Sequence, residues 1–139
     1  MKTQSIKIES RTERLIAVRE FVSAAAREFG FSDEEVSKIA LAVDEACTNI
    51  IKHAYKFDTT KNITITIKPG KGAFEISIID TGNKFKPTEI QSPDMKEYLK
   101  HYRQGGLGVY LMKRLMDKVE YDIEPGKQNE VRMVKYLHR

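Results

Sequence analysis

The sequence contains no tryptophan and only one cysteine, Cys47. A lone thiol cannot close an internal disulfide, and no Cys/His quartet stands near it to hold a structural metal. The cysteine falls mid-helix between Ala46 and Thr48, so it reads as a small packing residue, with a catalytic thiol as the alternative. No apolar run approaches the roughly 18–20 residues that a membrane-crossing helix requires. The amino terminus, MKTQSIKIES, lacks the apolar segment and small-residue cleavage pattern of a signal peptide. A cytoplasmic protein without a membrane partner is the expectation. The sequence also has no dense basic stripe. Its 24 Lys and Arg against 20 Asp and Glu give net +4, and acidic residues interleave with the basic ones. Such a balance does not favour nucleic-acid binding; it suits a polyphosphate ligand or an acidic protein partner.

What is present fits one compact domain over residues 1–139, large enough to bury a core unaided. Gln4–Glu9 alternates around Ile6 and Ile8 and predicts a short strand, suited to a sheet edge. Ser10-Arg-Thr-Glu13 has capping-box spacing and predicts a helix start; Leu15, Val18, Phe21, Val22 and Ala25 supply its apolar stripe, with Gly30 as its cap. Ser32-Asp-Glu-Glu35 repeats the capping spacing before a longer helix reaching about Tyr55. Asn62–Ile67 and Phe74–Ile79 alternate about a turn at Pro69–Gly72, predicting a hairpin with one buried face. Periodicity vanishes from Thr81 to Gly106, a length that in compact domains often marks a functional lid. A helix over Gly106–Lys118 and a hairpin joining Val119–Ile123 to Glu130–Leu137 complete the chain. The order predicts an α+β fold: a two-layer sandwich with helices on one face of a mixed, mainly antiparallel sheet.

Three places carry more polarity than folding alone requires. On the second helix, Glu45 and Asn49 are four residues apart and share a face. A carboxylate and an amide so placed could orient a hydroxyl and hold one Mg²⁺, an ion that completes its octahedron with water and phosphate oxygens. An ordinary solvated helix face is the plain alternative. His53, one further turn along, stands either at the rim of that site or as a hydrogen-bonded structural histidine. Second, the strand ending in Asp80-Thr-Gly-Asn-Lys-Phe85 offers Asp80 as an acceptor for an exocyclic amine, while Gly82 allows close approach of a base. A simple Asp-x-Gly turn would look the same. Third, Gln104-Gly-Gly-Leu-Gly108 opens a helix, where exposed N–H groups and the helix dipole favour phosphate. It matches neither a Walker loop nor a dinucleotide fingerprint, and a glycine hinge is the competing reading.

The order of these pieces resembles the histidine-kinase-like ATPases over nearly the whole chain. The likeness sharpens at Val43-Asp-Glu-Ala-Cys-Thr-Asn-Ile-Ile-Lys-His-Ala-Tyr55, at Gly106-Leu-Gly-Val-Tyr-Leu-Met-Lys-Arg-Leu-Met-Asp-Lys-Val119 and at Val131-Arg-Met-Val-Lys-Tyr-Leu137. These stretches resemble the bacterial anti-sigma-factor serine kinases rather than the catalytic domains of sensor kinases. The resemblance implies a Bergerat-type ATP-binding fold with ATP and Mg²⁺ as cofactors and a lid over about 84–105. It implies Glu45 as general base toward a protein serine hydroxyl and Asn49 as the Mg²⁺ ligand. Asp80 would bind the adenine amine with Gly82 beneath the base, and Gly105, Gly106, Leu107 and Gly108 would line the phosphates. His53, Phe85 and Asn129 complete the implied nucleotide-contacting set. Asn129 stands where many relatives carry a threonine beside the adenine, in the run Gly126-Lys-Gln-Asn-Glu-Val131.

The implied function is a serine/threonine protein kinase that phosphorylates an anti-sigma-factor antagonist and sequesters a sigma factor. A homodimer joined through the first strand and helix is implied with it. An ATP-gated binding module with little or no kinase activity is the alternative, and Glu45 separates the two because a pure binder needs no base.

Overall fold

The computed structural model describes residues 1–55, 57–81, 107–124 and 128–138. Among these residues five strands form one sheet in which every pairing is antiparallel, giving the expected α+β class. Strand β1 (Gln4–Glu9) lies at one edge and pairs with β2 (Asn62–Pro69), from Gln4 opposite Ile67 to Glu9 opposite Asn62. Strand β2 turns into β3 (Ala73–Asp80), and β5 (Gln128–Tyr136) lies against β3, leaving β4 (Lys118–Glu124) at the far edge.

Alternation sorts the two faces of this sheet. Ile63, Ile65 and Ile67 of β2, Phe74, Ile76 and Ile78 of β3, and Val131 and Met133 of β5 are buried in the core. Each fully buried isoleucine contributes roughly 1.5–3 kcal/mol relative to leaving it in water. Helices cover this face: α1 (Leu15–Phe29), α2 (Asp33–Asn49) and α3 (Leu107–Leu115), with α2 packed against both of the others. At the β2–β3 turn, Phe29, Phe31 and Phe74 meet with centroids 5.2–5.6 Å apart. That cluster closes one end of the sandwich, and Asp80 stands at the other end of β3.

The helix signals divide in an informative way. Ser32 caps α2 as its spacing predicts, accepting from the Glu35 N–H at 3.3 Å, while the Glu35 carboxylate pairs with Lys135 at 3.3 Å. Gly30 ends α1 in the left-handed conformation at φ 119°. Ser10 does not cap α1. Its N–H donates to the Lys61 carbonyl at 2.9 Å and so prolongs the β1–β2 ladder, and the chain turns through a 3₁₀ segment, Thr12–Arg14, before α1. The strand ladder claimed the residue that local spacing assigned to a cap. At its carboxyl end α2 widens into a π-turn, Ile50–Ala54, closed by the Tyr55 N–H on the Ile50 carbonyl at 2.9 Å. The expected lid over 84–105, and with it Gly82, Phe85, Gly105 and Gly106, lies outside the described residues.

Candidate nucleotide site

Helix α2 carries the first two predicted residues. Asn49 is 6% exposed, a buried amide at the last position of α2 where the pattern alone allows a solvated face. Buried side-chain amides are uncommon and make directional contacts where they occur. Glu45, one turn earlier, is half-buried and makes no ion pair among the described residues. Its neighbour Asp44 is committed elsewhere, accepting from the Arg19 guanidinium of α1 at 2.9 Å. Of two adjacent carboxylates, one braces two helices and the other remains available for chemistry.

Cys47, which stands between Glu45 and Asn49 in the sequence, is fully buried. Burial, aided by the nearby Asp44 charge, pushes its thiol up to about 12. A thiol held protonated at neutral pH is a poor nucleophile, so the packing reading of Cys47 stands.

The second cluster forms where β3 ends. Asp80 is 2% exposed and lies opposite Asn129 of β5, which is 5% exposed. The Asn129 side-chain amide donates to the Asp80 carboxylate at 3.0 Å. Alternation places both on the helix-covered face, continuing the rows of Ile76 and Ile78 and of Val131 and Met133. On the opposite face Ser77 donates to Glu130, which also accepts from Arg132 at 2.6 Å. Partial burial alone would raise the Glu130 carboxyl, but those two donors outweigh it and leave the group below the usual carboxylate range. The bonds fix β5 beside β3 and therefore fix which way Asn129 points.

Tyr55 is a residue that pattern reading passed over. Its ring is 1% exposed, and its hydroxyl donates to the Asn62 carbonyl at 2.6 Å while accepting the Thr81 N–H at 2.9 Å. It thus joins the end of α2 to the residue that follows Asp80. A polar aromatic closing an apolar stripe was the signal available in the sequence, because a buried tyrosine hydroxyl needs a partner.

Leu107 and Gly108 open α3, so the expected helix amino end stands where the glycine run stops. His53 lies in the π-turn, and its side chain is outside the described residues. Among the described residues no three His, Cys, Asp or Glu side chains gather to hold a metal, and no helix is long and apolar enough to cross a membrane. The donor set is therefore a buried carboxylate with its amide partner, a buried helical amide and a helical carboxylate with no ion pair among the described residues. It fits a nucleotide bound with a cation that takes most of its ligands from phosphate and water.

Comparison with known proteins agrees with this geometry. Residues 8–135 match the histidine kinase-like ATPase domain family. The chain is 33% identical over 138 residues to the serine-protein kinase RsbW of Bacillus licheniformis, covering 96% of this chain and 85% of that protein. It is 32% identical over 138 residues to the RsbW of Bacillus mycoides, covering 96% and 84%. Among solved structures, the RsbU and RsbW domains of a Mycobacterium tuberculosis protein superpose with a TM-score of 0.70 at 17% identity; the match covers all of this chain and 33% of that one. The Acinetobacter baumannii histidine kinase AdeS superposes at 0.53 and 11% identity, covering all of this chain and 70% of that one. At those identities the two structures speak for the fold alone. With the family matched over 128 of its residues and the RsbW proteins over nearly all of them, this chain belongs to the histidine kinase-like ATPase domain family.

Proposed function

We propose that this protein is an ATP-dependent serine/threonine protein kinase whose substrate is an anti-sigma-factor antagonist, and that it sequesters a sigma factor as its second task. The observation that carries the reading is the buried Asp80–Asn129 pair on the helix-covered face, at the end of β3 where a base would enter. Asp80 accepts the adenine amine, and Asn129 holds the carboxylate in place for it. In relatives with threonine at this position a hydroxyl would do what the Asn129 amide does here. Gly82 and Phe85 lie beside the base, and Gly105, Gly106, Leu107 and Gly108 line the phosphates from the start of α3. His53 stands at the rim.

Glu45 is the general base. Its carboxylate takes the proton of the substrate serine as the hydroxyl oxygen attacks the γ-phosphorus, and ADP leaves. The absence of an ion pair on Glu45 among the described residues supports this, since a carboxylate already held by a guanidinium makes a poor base. Asn49 is the protein ligand for Mg²⁺, which supplies neutralisation of phosphate charge when bound. The remaining work is positioning, which dominates phosphoryl transfer. The protein acts in the cytoplasm as a homodimer, with the edge strand β1 and α1 as the contact region.

Glu45→Gln tests the assignment. With purified antagonist and labelled ATP, the variant is expected to bind nucleotide as the wild type does and to transfer no phosphate. Transfer at the wild-type rate would remove Glu45 from the role of base and favour a different acceptor for the proton.

A further inference from the structure

Glu45 and Asn49 stand on α2 and Asp80 at the end of β3, so the metal-binding and base-binding halves of the proposed site come from separate elements. Something must hold these in register. Strand β3 itself stops at Asp80, whose partner across β2 is Ile63. Thr81 is already solvent-exposed, yet its N–H does not point to water: the buried Tyr55 hydroxyl accepts it at 2.9 Å. The same hydroxyl spends its proton on the Asn62 carbonyl at 2.6 Å and lies 3.3 Å from the Thr81 hydroxyl oxygen. One oxygen therefore ties the last turn of the α2–π-turn segment to the first residue of β2 and to the first residue after β3.

The π-turn is what brings Tyr55 there. Its wider hydrogen-bonded ring, Tyr55 N–H to Ile50 carbonyl, changes the direction of side chains after Asn49 relative to a continued α-helix. Such turns weaken helix hydrogen bonding and persist where the altered direction is used. Here the altered direction seats a ring in the core with its hydroxyl at the sheet end.

We infer that Tyr55 is a positioning residue for nucleotide binding: a latch that fixes the Asp80–Thr81 peptide against α2, so that the base-binding and metal-binding halves of the site keep one spacing. The inference rests on the proposed nucleotide site and adds a residue to it. Because Thr81 is exposed, water can replace the lost partner of its N–H in a Tyr55→Phe variant, and the ring still fills the core. Stability then falls little while the Asp80–Thr81 peptide loses its tether to α2, and the defect appears in affinity rather than in folding.

The test titrates ATP and ADP, with Mg²⁺ present, into the full-length wild type, Tyr55→Phe, Asp80→Asn and the double variant. Lys135→Met serves as a destabilised control at the opposite end of β5. Tyr55→Phe is expected to weaken ATP and ADP alike by roughly three- to tenfold, the scale of one hydrogen bond. In the Asp80→Asn background the same change is expected to have no further effect, because the latch acts through Asp80. Losses that multiply in the double variant, or a Tyr55→Phe protein that binds as tightly as wild type, would overturn the latch while leaving the nucleotide site intact. No nucleotide binding by the wild type would overturn the site and the latch together. Should Tyr55→Phe fail to fold, amide exchange in the nucleotide-free wild type decides the matter. The Thr81 N–H is expected to be protected like the interior of β3, and exchange at the unprotected rate would overturn the latch.

Discussion

Asn129→Ala removes the donor from a buried carboxylate and leaves the backbone of β5 in place. Asp80 is 2% exposed, and the Asn129 amide reaches it at 3.0 Å. A hydrogen bond to a carboxylate contributes about 1.5–3 kcal/mol, and little water can reach this site to replace it. For 139 residues the unfolding entropy is about 0.3 kcal/mol/K, so the loss corresponds to a Tm about 5–10 °C lower. Thermal unfolding followed by circular dichroism reads the first quantity, and ATP titration of the same protein reads the second. Affinity is expected to fall with stability, since the carboxylate proposed to meet the base is the one Asn129 holds. Asn129→Thr is expected to recover most of both, because a hydroxyl can donate along the same direction. An Asn129→Ala protein with unchanged Tm and unchanged affinity would refute the reasoning that makes the pair one unit.

Other perturbations separate scaffold from site. Gly30→Ala places a Cβ at φ 119° and 3.3 Å from the Leu137 side chain, and is expected to cost about 1–2 kcal/mol, read as a lower denaturant midpoint. Lys135→Met removes a bond to the last carbonyl of α3, at 2.8 Å from the Lys135 ammonium to Leu115, together with the Glu35 ion pair. Its Tm should fall by several degrees while ATP affinity stays within about twofold of wild type, since no site residue is touched. The Glu130 carboxyl lies below its ordinary value of 4.5 in the folded protein, so the unfolded chain takes up that proton first as the pH falls. Its contribution is therefore complete above about pH 5 and is lost as the pH drops through the folded value. Glu130→Gln is expected to flatten the acid limb of a stability-versus-pH curve and leave the slope between about pH 6 and 8 unchanged.

Much of the fold was legible because its periodicities are unmixed. The alternation of Ile63, Ile65 and Ile67 leaves only one face to bury, and Ser32 and Gly30 mark a helix start and a helix end by local chemistry that no tertiary contact overrides. Ser10 shows where such reading stops. Its capping spacing is sound, but a bond to Lys61, about fifty residues away in sequence, holds it against the end of the β1–β2 ladder. The π-turn at Ile50–Ala54 has no periodic signature, since one widened turn barely disturbs an apolar stripe.

Legibility of the site divides along the same line. Asp80 was marked by its place at the end of a strand, and Glu45 with Asn49 by their four-residue spacing, whereas the part played by Tyr55 depends on a bond to Thr81 that only the folded chain supplies. The meeting of Asp80 with Asn129 is likewise a matter of strand register, fixed by β3 pairing with β5 rather than by anything local to either residue.

Calorimetric titration of ATP into the wild type, Asp80→Asn and Asn49→Ala, each with and without Mg²⁺, tests the central claim most directly. The account predicts that the wild type binds, that Asp80→Asn binds much more weakly but measurably under both conditions, and that Asn49→Ala loses mainly the part that depends on Mg²⁺. A wild-type protein that binds no nucleotide, or an Asp80→Asn variant that binds as the wild type does, would contradict it.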